Sequence, residues 1–588
     1  MTVFIDRRDF LRKAALGAGG GALAGALPAW ALPGSAGLAQ GLPVLSGEDI
    51  TLRIARTTMR IDGRTMRAVA VNGTVPAPLI RLREGQKVRL HVINELGEES
   101  SIHWHGLLLP FHMDGVPGVS FPGIAPRSSF TYEFPIVQAG TYWYHSHSGF
   151  QEQEGLYGPI VIDPAGADPV LSDREHVIVL SDHSPLSGQA IFAKLKQQPG
   201  YFNQQRQALD GLLAGKDQAT GDRRAWGAMR MDPTDIADVT GSTYRYLVNG
   251  QGPQDNWTAL FRPGERVRLR IINASAMTTF NLRIPGLPMT VVQADGLNVR
   301  PVEVDEFQFG PAETYDVVVT PGEDRAYTLV GESIDRSGMA RATLAPRAGM
   351  TAAVPPLRRR PVATMKDMGM GGMDHGAMSA MDHGTMNHGA MPGMTRGNAD
   401  SGGMDHSMRD FSNAPGVKKG PGVQTISPMP VDRTGEPGQG LGDVGHRVLT
   451  YRDLIALDPN PDVRAPSRQL EIHLTGNMER YMWAFDGEKL SEVTAPIAFR
   501  AGERVRVTLV NDTMMGHPIH LHGHFFELVT GHGAHSPRKH TVLVQPGGKV
   551  SWDVTANEGD WAFHCHMLYH MAAGMMQVVQ VRGDGDAA

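Results

Sequence analysis

The sequence predicts an all-β protein made of three related Greek-key β-sandwich domains. A ten-residue segment occurs three times, at residues 85–94, 264–273 and 502–511. Each copy begins with glycine, ends with asparagine and alternates polar with apolar residues, as a strand with one buried face does. The 70 glycines and 40 prolines favour short strands joined by turns. The repeat therefore predicts three domains, near residues 45–165, 170–345 and 445–582.

An insertion separates the second and third predicted domains. Residues 350–440 are rich in glycine, proline and methionine, and they carry Met-Asp-His-Gly-x-Met motifs beginning at Met373. Related segments follow at residues 381–386, 388–391 and 404–408. Apart from methionine the segment has almost no large apolar residue, so it cannot form a core of its own. We expect a flexible, disordered insertion.

Residues 1–39 resemble an export signal. Arg7 and Arg8 begin a segment similar to the twin-arginine motif, and a weakly apolar stretch follows from Ala14 to Ala31. Cleavage after Ala39 fits the small residues there, and cleavage after Ala31 also fits. A membrane anchor is the alternative, but the stretch is rich in glycine and alanine and no basic stop follows it. We expect export of the folded protein by the twin-arginine machinery and removal of the signal.

Two features of the composition exclude classes of protein. The formal net charge of -6 argues against a nucleic-acid-binding protein. Cys565 is the single cysteine, so no intrachain disulfide framework holds the fold.

Paired histidines recur at equivalent places in the first and third domains. Nine residues after the repeat asparagine come His103 and His105 in the first domain, and His520 and His522 in the third. A second set of pairs follows a later glycine by five residues: His145 and His147, and His564 and His566. Residues i and i+2 of a strand point to one face, so these imidazoles can converge between the two domains. Imidazole suits copper, iron and zinc, and the lack of a carboxylate in the pairs weighs against a di-iron cluster.

The second domain offers Leu282 and Ile284 where the other domains offer the first His-x-His pair. We therefore expect it to be a spacer without metal ligands.

The third domain adds a second kind of site. His517, Cys565 and His570 stand where the first domain has Ser100, Ser146 and Gln151, and Met575 follows the cysteine by ten residues. Two histidines, a cysteine and a weak axial methionine form the ligand set of a blue-copper electron-transfer centre. A lone buried cysteine is often only a small apolar residue, but ligand histidines flank this one on both sides. Met575 alone could equally be a core residue.

These motifs resemble the four copper motifs of the multicopper oxidases, and the similarity covers the whole mature chain as three cupredoxin domains. The motifs are His103–Gly106, Tyr144–His147, His517–Gly523 and His564–Met575. The resemblance implies four coppers. The type 2 copper would be held by His103 and His520, one type 3 copper by His105, His145 and His566, and the other by His147, His522 and His564. The type 1 copper would use His517, Cys565, His570 and Met575.

The resemblance also implies a mechanism. Electrons would pass from the type 1 copper through Cys565 and its neighbours to the other three coppers, where dioxygen is reduced to water. Asp114 resembles the acidic residue that the family places beside the type 2 copper, although a carboxylate before glycine is also common in turns. Many relatives carry a second acid after the last type 1 histidine, whereas Met571–Gly574 has no carboxylate.

Within the family, the exported copper-resistance oxidases of the CopA type look most similar, because they share the leader, the methionine motifs and the stretch Tyr481–Gly487. This resemblance implies a periplasmic oxidase of Cu(I), with periplasmic copper carriers as partners. We expect the methionine-rich insertion to bind additional Cu(I), because thioethers are soft ligands that select this ion. A laccase acting on small phenols or aromatic amines is one alternative. A protein that mainly sequesters copper is another. A copper nitrite reductase fits less well, because such enzymes do not need the eight paired histidines that this sequence carries.

Overall fold

The computed structural model describes residues 41–215, 217–370 and 408–583. The predicted export signal and the motifs between residues 373 and 407 lie outside these ranges. Among the residues that are described, no helix combines the length and apolarity needed to cross a membrane.

The first domain is a sandwich of two sheets. One sheet has the strand order β1-β4-β9-β8-β6, and the other has the order β3-β2-β5-β7. Its strands are β1 (Val44–Ser46), β2 (Asp49–Ile61), β3 (Arg64–Val71), β4 (Leu79–Arg83), β5 (Lys87–Asn94), β6 (His103–His105), β7 (Ser129–Pro135), β8 (Gly140–His145) and β9 (Tyr157–Asp163).

The second domain repeats this arrangement with sheets β11-β10-β13-β18-β15-β16 and β12-β20-β19-β14-β17. Its strands are β10 (Arg174–His183), β11 (Arg245–Val248), β12 (Thr258–Leu260), β13 (Val267–Asn273), β14 (Phe280–Arg283), β15 (Met289–Ala294), β16 (Leu297–Val304), β17 (Glu306–Phe309), β18 (Thr314–Val319), β19 (Tyr327–Ser333) and β20 (Met339–Ala345). Three helices lie between β10 and β11: α1 (Gly188–Gln197), α2 (Leu209–Leu213) and α3 (Thr220–Ala228).

The third domain has the sheets β23-β22-β25-β30-β27-β28, with β21 beside β30, and β24-β32-β31-β26-β29. Its strands are β21 (Val431–Asp432), β22 (Arg468–Asn477), β23 (Met482–Phe485), β24 (Ile497–Arg500), β25 (Arg504–Asn511), β26 (His517–Leu521), β27 (Phe526–Leu528), β28 (Arg538–Lys539), β29 (Thr541–Val544), β30 (Gly548–Thr555), β31 (Gly559–Cys565) and β32 (Met576–Arg582). Helix α4 (Leu568–Ala573) lies between β31 and β32. The predicted all-β class with three sandwiches is confirmed, whereas the domain bounds stay predictions.

The repeat asparagines have a structural role that explains their spacing. Asn94, Asn273 and Asn511 end β5, β13 and β25, and all three are fully buried. Each side-chain amide donates to a carbonyl in the connection that follows its strand and to a second carbonyl more distant in the chain, and each side-chain oxygen accepts the backbone N–H two residues on. In the third domain one of these carbonyls belongs to Met515, two residues before His517. The repeat therefore fixes the turn that leads into the metal motif.

The flanks of the predicted insertion are ordered. Met429 N donates to Gly369 O, so the outgoing and returning chains run side by side. Arg433 forms a buried ion pair with Asp367 at 2.7 Å, and Ile426 is completely buried. Buried ion pairs and apolar side chains hold these flanks in place, whereas the sequence predicted flexibility over all of residues 350–440.

Candidate metal centre

The eight paired histidines converge at the seam between the first and third domains. Strands β6 and β8 pair so that His103 lies opposite His145, and β26 and β31 pair so that His520 lies opposite His564. The His105 and His520 rings stack across the seam with centroids 3.9 Å apart. Three sets of nitrogens lie within 4.8 Å of one another and could hold a metal ion: His103, His105 and His520; His105, His145 and His566; and His147, His522 and His564. We call His105, His145 and His566 the first triad, and His147, His522 and His564 the second triad.

The chemistry of these rings fits metal ligands. Burial, reinforced by neighbouring imidazoles, lowers the pKa of His105, His145, His147, His520, His522 and His566 well below the usual value. Burial likewise lowers the pKa of His564 to about 4. Neutral rings keep a lone pair for a metal. Several buried ring nitrogens find no hydrogen-bond partner within the described ranges: His103 Nε2, His105 Nδ1, His147 Nε2, His520 Nε2 and His566 Nδ1. Unpartnered buried acceptors that converge are what a multinuclear metal site requires.

The opposite nitrogens of the rings are held by the protein. His103 Nδ1 donates to Asp114 O at 2.7 Å, and His520 Nδ1 donates to His540 O at 2.6 Å. Asp114 Oδ2 accepts from His522 Nδ1 at 2.8 Å, and its other oxygen lies 3.3 Å from His103 Nδ1. Such outer hydrogen bonds set the tautomer and the orientation of a ligand histidine. Asp114, the predicted catalytic residue, is thus buried at the seam and contacts one histidine from each domain.

Two further residues beside the cluster escaped the sequence analysis. Glu152 Oε2 lies 2.7 Å from His145 Nδ1, and burial together with Asp182 raises the pKa of Glu152 well above its usual range. His540 Nδ1 lies 3.2 Å from His105 Nε2. Glu152 is five residues from His147 in a loop without periodicity, and His540 is an isolated histidine, so neither carried a signal.

A second site lies within the third domain. Cys565 Sγ is 3.6 Å from His517 Nδ1 and 3.8 Å from His570 Nδ1, and the two nitrogens are 3.2 Å apart. Taking the bond lengths of zinc, about 2.0–2.1 Å to nitrogen and about 2.3 Å to sulfur, a trigonal ion needs separations of about 3.8 Å (N–S) and about 3.5 Å (N–N). The triangle of ligand atoms therefore has the size for one metal ion.

The surroundings of this second site are closed. Cys565, His517, His570 and Met575 have no exposed surface. Met575 is fixed beside the other three, because Cys565 N donates to Met575 O and Met575 N donates to His570 O. Burial raises the pKa of the Cys565 thiol and lowers that of His570 to about 3.

Outer contacts orient both ring ligands of the second site. The Trp483 ring stacks on His570 with centroids 3.9 Å apart. Asp238 of the second domain accepts from His570 Nε2 at 2.7 Å and from the Tyr481 hydroxyl at 2.8 Å. Thr513 Oγ1 lies 2.8 Å from His517 Nε2.

In the first domain, the positions equivalent to this second site also lie together, but they carry serine and glutamine in place of cysteine and histidine. Gln151 Oε1 accepts from the hydroxyls of Ser100 and Ser146, at 2.7 and 3.0 Å. Ser146 N donates to Leu156 O, as Cys565 N does to Met575 O. The residues that were matched by position in the sequence thus meet in space, and hydrogen bonds replace the metal chemistry.

Comparison with known proteins identifies the family. Three family models, each described as multicopper oxidase, match residues 53–167, 216–354 and 464–585. The chain is 50% identical to a copper resistance protein A homolog of Pseudomonas syringae pv. tomato, covering 94% of this chain and 95% of that protein. It is 47% identical to copper resistance protein A of Escherichia coli, covering 99% and 100%. The crystal structure of a laccase from Botrytis aclada shares the fold, with a TM-score of 0.62 at 21% identity, covering 92% of this chain and 88% of the laccase. The chain belongs to the multicopper oxidase family, and it is an oxidoreductase with copper cofactors.

Proposed function

We propose that this protein is an exported, periplasmic oxidase that takes electrons from Cu(I), reduces dioxygen to water and so serves copper resistance. The copper-resistance relatives support the physiological role, and the ligand geometry supports four coppers. The type 2 ion would be held by His103 and His520, and the two type 3 ions by the first and second triads. The type 1 ion would be held by His517, Cys565, His570 and Met575.

The bound coppers would supply one-electron transfer and dioxygen reduction, and the protein controls access and geometry. Cys565 links the two sites covalently, because His564 and His566, its neighbours in the chain, belong to the second and first triads. The His564 Nδ1 group also donates to Cys565 O at 2.9 Å, which ties the ring to the same backbone. Electrons therefore have a short path inside one peptide segment. Delivery of protons by Asp114 stays a prediction from the family resemblance.

The observation that carries Cu(I) as the donor is a cluster of methionines where the chain enters and leaves the methionine motifs. Around Trp226 lie Met229, Met231, Met365, Met368, Met370, Met408, Met478 and Met514, which we call the methionine cluster. Met370 and Met408 are the last and first described residues on either side of the motifs. Thioethers prefer Cu(I) among the ions of a cell. The cluster therefore suits transfer of Cu(I) from the motifs to the folded part of the protein.

An open cavity of about 410 Å³ leads into this cluster. Its lining includes the thioethers of Met231, Met478 and Met514, and it carries charged groups of both signs: Asp232, Asp235, Glu479, Arg206 and Arg230. Three thioethers at one cavity suit a soft cation, which they can coordinate, better than a phenol.

The cavity shares three chain segments with the type 1 site. Met514 lies three residues before His517, and Met478 lies in the turn before β23, whose Trp483 stacks on His570. Asp235 lies three residues before Asp238, which accepts the His570 hydrogen bond. An electron from the cavity therefore has only a short distance to cross, whereas a bulky aromatic donor cannot touch the buried His570.

Steady-state oxygen uptake by the copper-loaded mature protein, with Cu(I) or with a phenol as donor, tests the proposal. The triple variant Met231→Leu, Met478→Leu and Met514→Leu keeps apolar volume and removes the thioethers. We expect its KM for Cu(I) to rise about tenfold or more, since soft ligands are lost. Deletion of residues 371–407 should raise the same KM.

Met66→Leu is the matched control, because Met66 is a buried methionine of the first domain. Its KM should equal that of the parent protein. If the loaded protein consumes no oxygen with Cu(I), the proposal is wrong, and rapid uptake with the phenol would instead favour a laccase.

A further inference from the structure

Glu152 is a buried carboxylate that contacts the cluster from the loop between β8 and β9. Its side chain is 3% exposed, and Oε2 lies 2.7 Å from His145 Nδ1. Asp114 contacts His522 in the same manner, at 2.8 Å. His145 belongs to the first triad and His522 to the second, so each triad has one buried carboxylate on the outer nitrogen of one histidine.

We propose that Glu152 is a positioning residue that prepares His145 to bind copper in the first triad. The carbonyl oxygen of Ser146 also lies 3.2 Å from His145 Nδ1, so both oxygens favour the tautomer with its proton on Nδ1 and its Nε2 lone pair free. The carboxylate additionally makes that nitrogen a stronger ligand. His145 Nε2 already faces His566 Nε2 at 3.3 Å. Trp143 stacks on the His145 ring at 4.2 Å with an interplanar angle of 13°. Trp143 thus sets the plane of the ring, and Glu152 sets its rotation within that plane.

A purely structural role does not account for this carboxylate. Glu152 Oε1 has no hydrogen-bond partner in the part of the chain that the structure describes, and the buried carboxylate of Asp182 is close enough to repel it. A buried carboxylate in such a place costs stability unless a specific contact offsets it. The contact with His145 is the interaction that offsets the cost, and it is useful only if the orientation of His145 matters.

The inference rests on the proposed copper-binding role of the triads, and copper retention tests the two separately. The copper-loaded protein is dialysed against a copper chelator, and the copper that remains per chain is followed over time. Glu152→Ala should weaken retention of cluster copper by 10- to 100-fold, the usual effect of losing an outer partner of a ligand histidine. The blue type 1 absorbance should persist, because Glu152 has no contact with that site.

Glu152→Gln separates the hydrogen bond from the charge, since its amide oxygen still accepts from Nδ1, and we expect it to retain more copper than Glu152→Ala. Glu154→Gln is the matched control. Glu154 lies two residues on and pairs with Arg56 near the surface, so its removal should leave retention unchanged. Thermal unfolding of the metal-free variants shows whether each one folds.

The outcomes are distinct. If the parent protein holds no copper at the triads, the proposed function fails. If the parent holds it and Glu152→Ala retains it within a factor of two, the inference alone is overturned, even if the metal-free variant is less stable. Loss of copper in both Glu152 variants supports the inference and assigns the effect to the charge.

Discussion

Replacing Asp238 by asparagine should raise the reduction potential of the proposed type 1 copper. The carboxylate accepts from His570 Nε2 at 2.7 Å, so one imidazole ring separates its charge from the ion. With a ligand bond of about 2 Å, the charge lies about 6–7 Å from the ion. At an effective dielectric constant of about 20, a unit charge at this distance contributes about 2.5 kcal/mol. For one electron this corresponds to about 0.1 V.

The effect should depend on pH in the parent protein. Burial raises the pKa of Asp238 to about 7 in the metal-free protein, although the Tyr481 hydroxyl opposes the rise. A bound cation favours the ionised form, so the carboxylate is charged at pH 8 and becomes neutral as the pH falls. The potential of the parent should therefore rise on acidification, because the stabilising negative charge is lost, while that of Asp238→Asn should stay nearly constant.

Redox titration of the blue absorbance between pH 5 and 8 measures both effects. Asp235→Asn is the control, because Asp235 carries a half-buried carboxyl group three residues away that makes no hydrogen bond to His570 in the described structure. A potential of Asp238→Asn that equals or falls below that of the parent at pH 8 would refute the electrostatic argument.

Three further predictions concern the electron path and stability. Cys565→Ser should abolish the blue colour and oxygen uptake while copper remains at the triads, as absorbance and metal analysis would show; uptake at the parent rate contradicts the path. Lys539→Met should lower the free energy of unfolding by about 3–5 kcal/mol in denaturant titrations, because it leaves the carboxylates of Asp295 and Glu313 buried without their cation. A loss below about 1 kcal/mol contradicts this. Burial lowers the pKa of His473, but the hydrogen bond and charge of Asp512 outweigh burial and raise that pKa above its usual value. The pair should therefore stabilise the protein below about pH 6.5 and lose that contribution as the pH rises further. His473→Gln should flatten this part of the curve of unfolding free energy against pH.

The fold was predictable because strand pairing repeats with the sequence. The glycine-to-asparagine spacing is set by one strand and its turn, and Asn94, Asn273 and Asn511 make equivalent hydrogen bonds. The ordered flanks of the insertion were not predictable. Their contacts, such as Arg433 with Asp367, join residues far apart in the chain, and composition alone cannot reveal such pairs.

The convergence of the paired histidines was predictable for the same reason, and their outer partners were not. A ligand pair such as His564 and His566 is visible because two side chains of one strand must point the same way. An outer partner needs only one oxygen at hydrogen-bond distance, and any loop can supply it. Glu152 and His540 reach the cluster from such connections, without any spacing relative to the motifs.

The second domain illustrates this limit most clearly. Its sequence shows Leu282 and Ile284 at the positions of the first His-x-His pair, and both side chains are buried. Yet Asp238 orients His570, and Asp295 accepts the backbone N–H of His540, whose carbonyl holds His520. The domain therefore reaches both sites through carboxylates that bind ligand-bearing segments rather than metal. A spacer would tolerate exchange with any sandwich of equal size, whereas this domain supplies charge and orientation to both the proposed type 1 site and the histidine cluster at the seam.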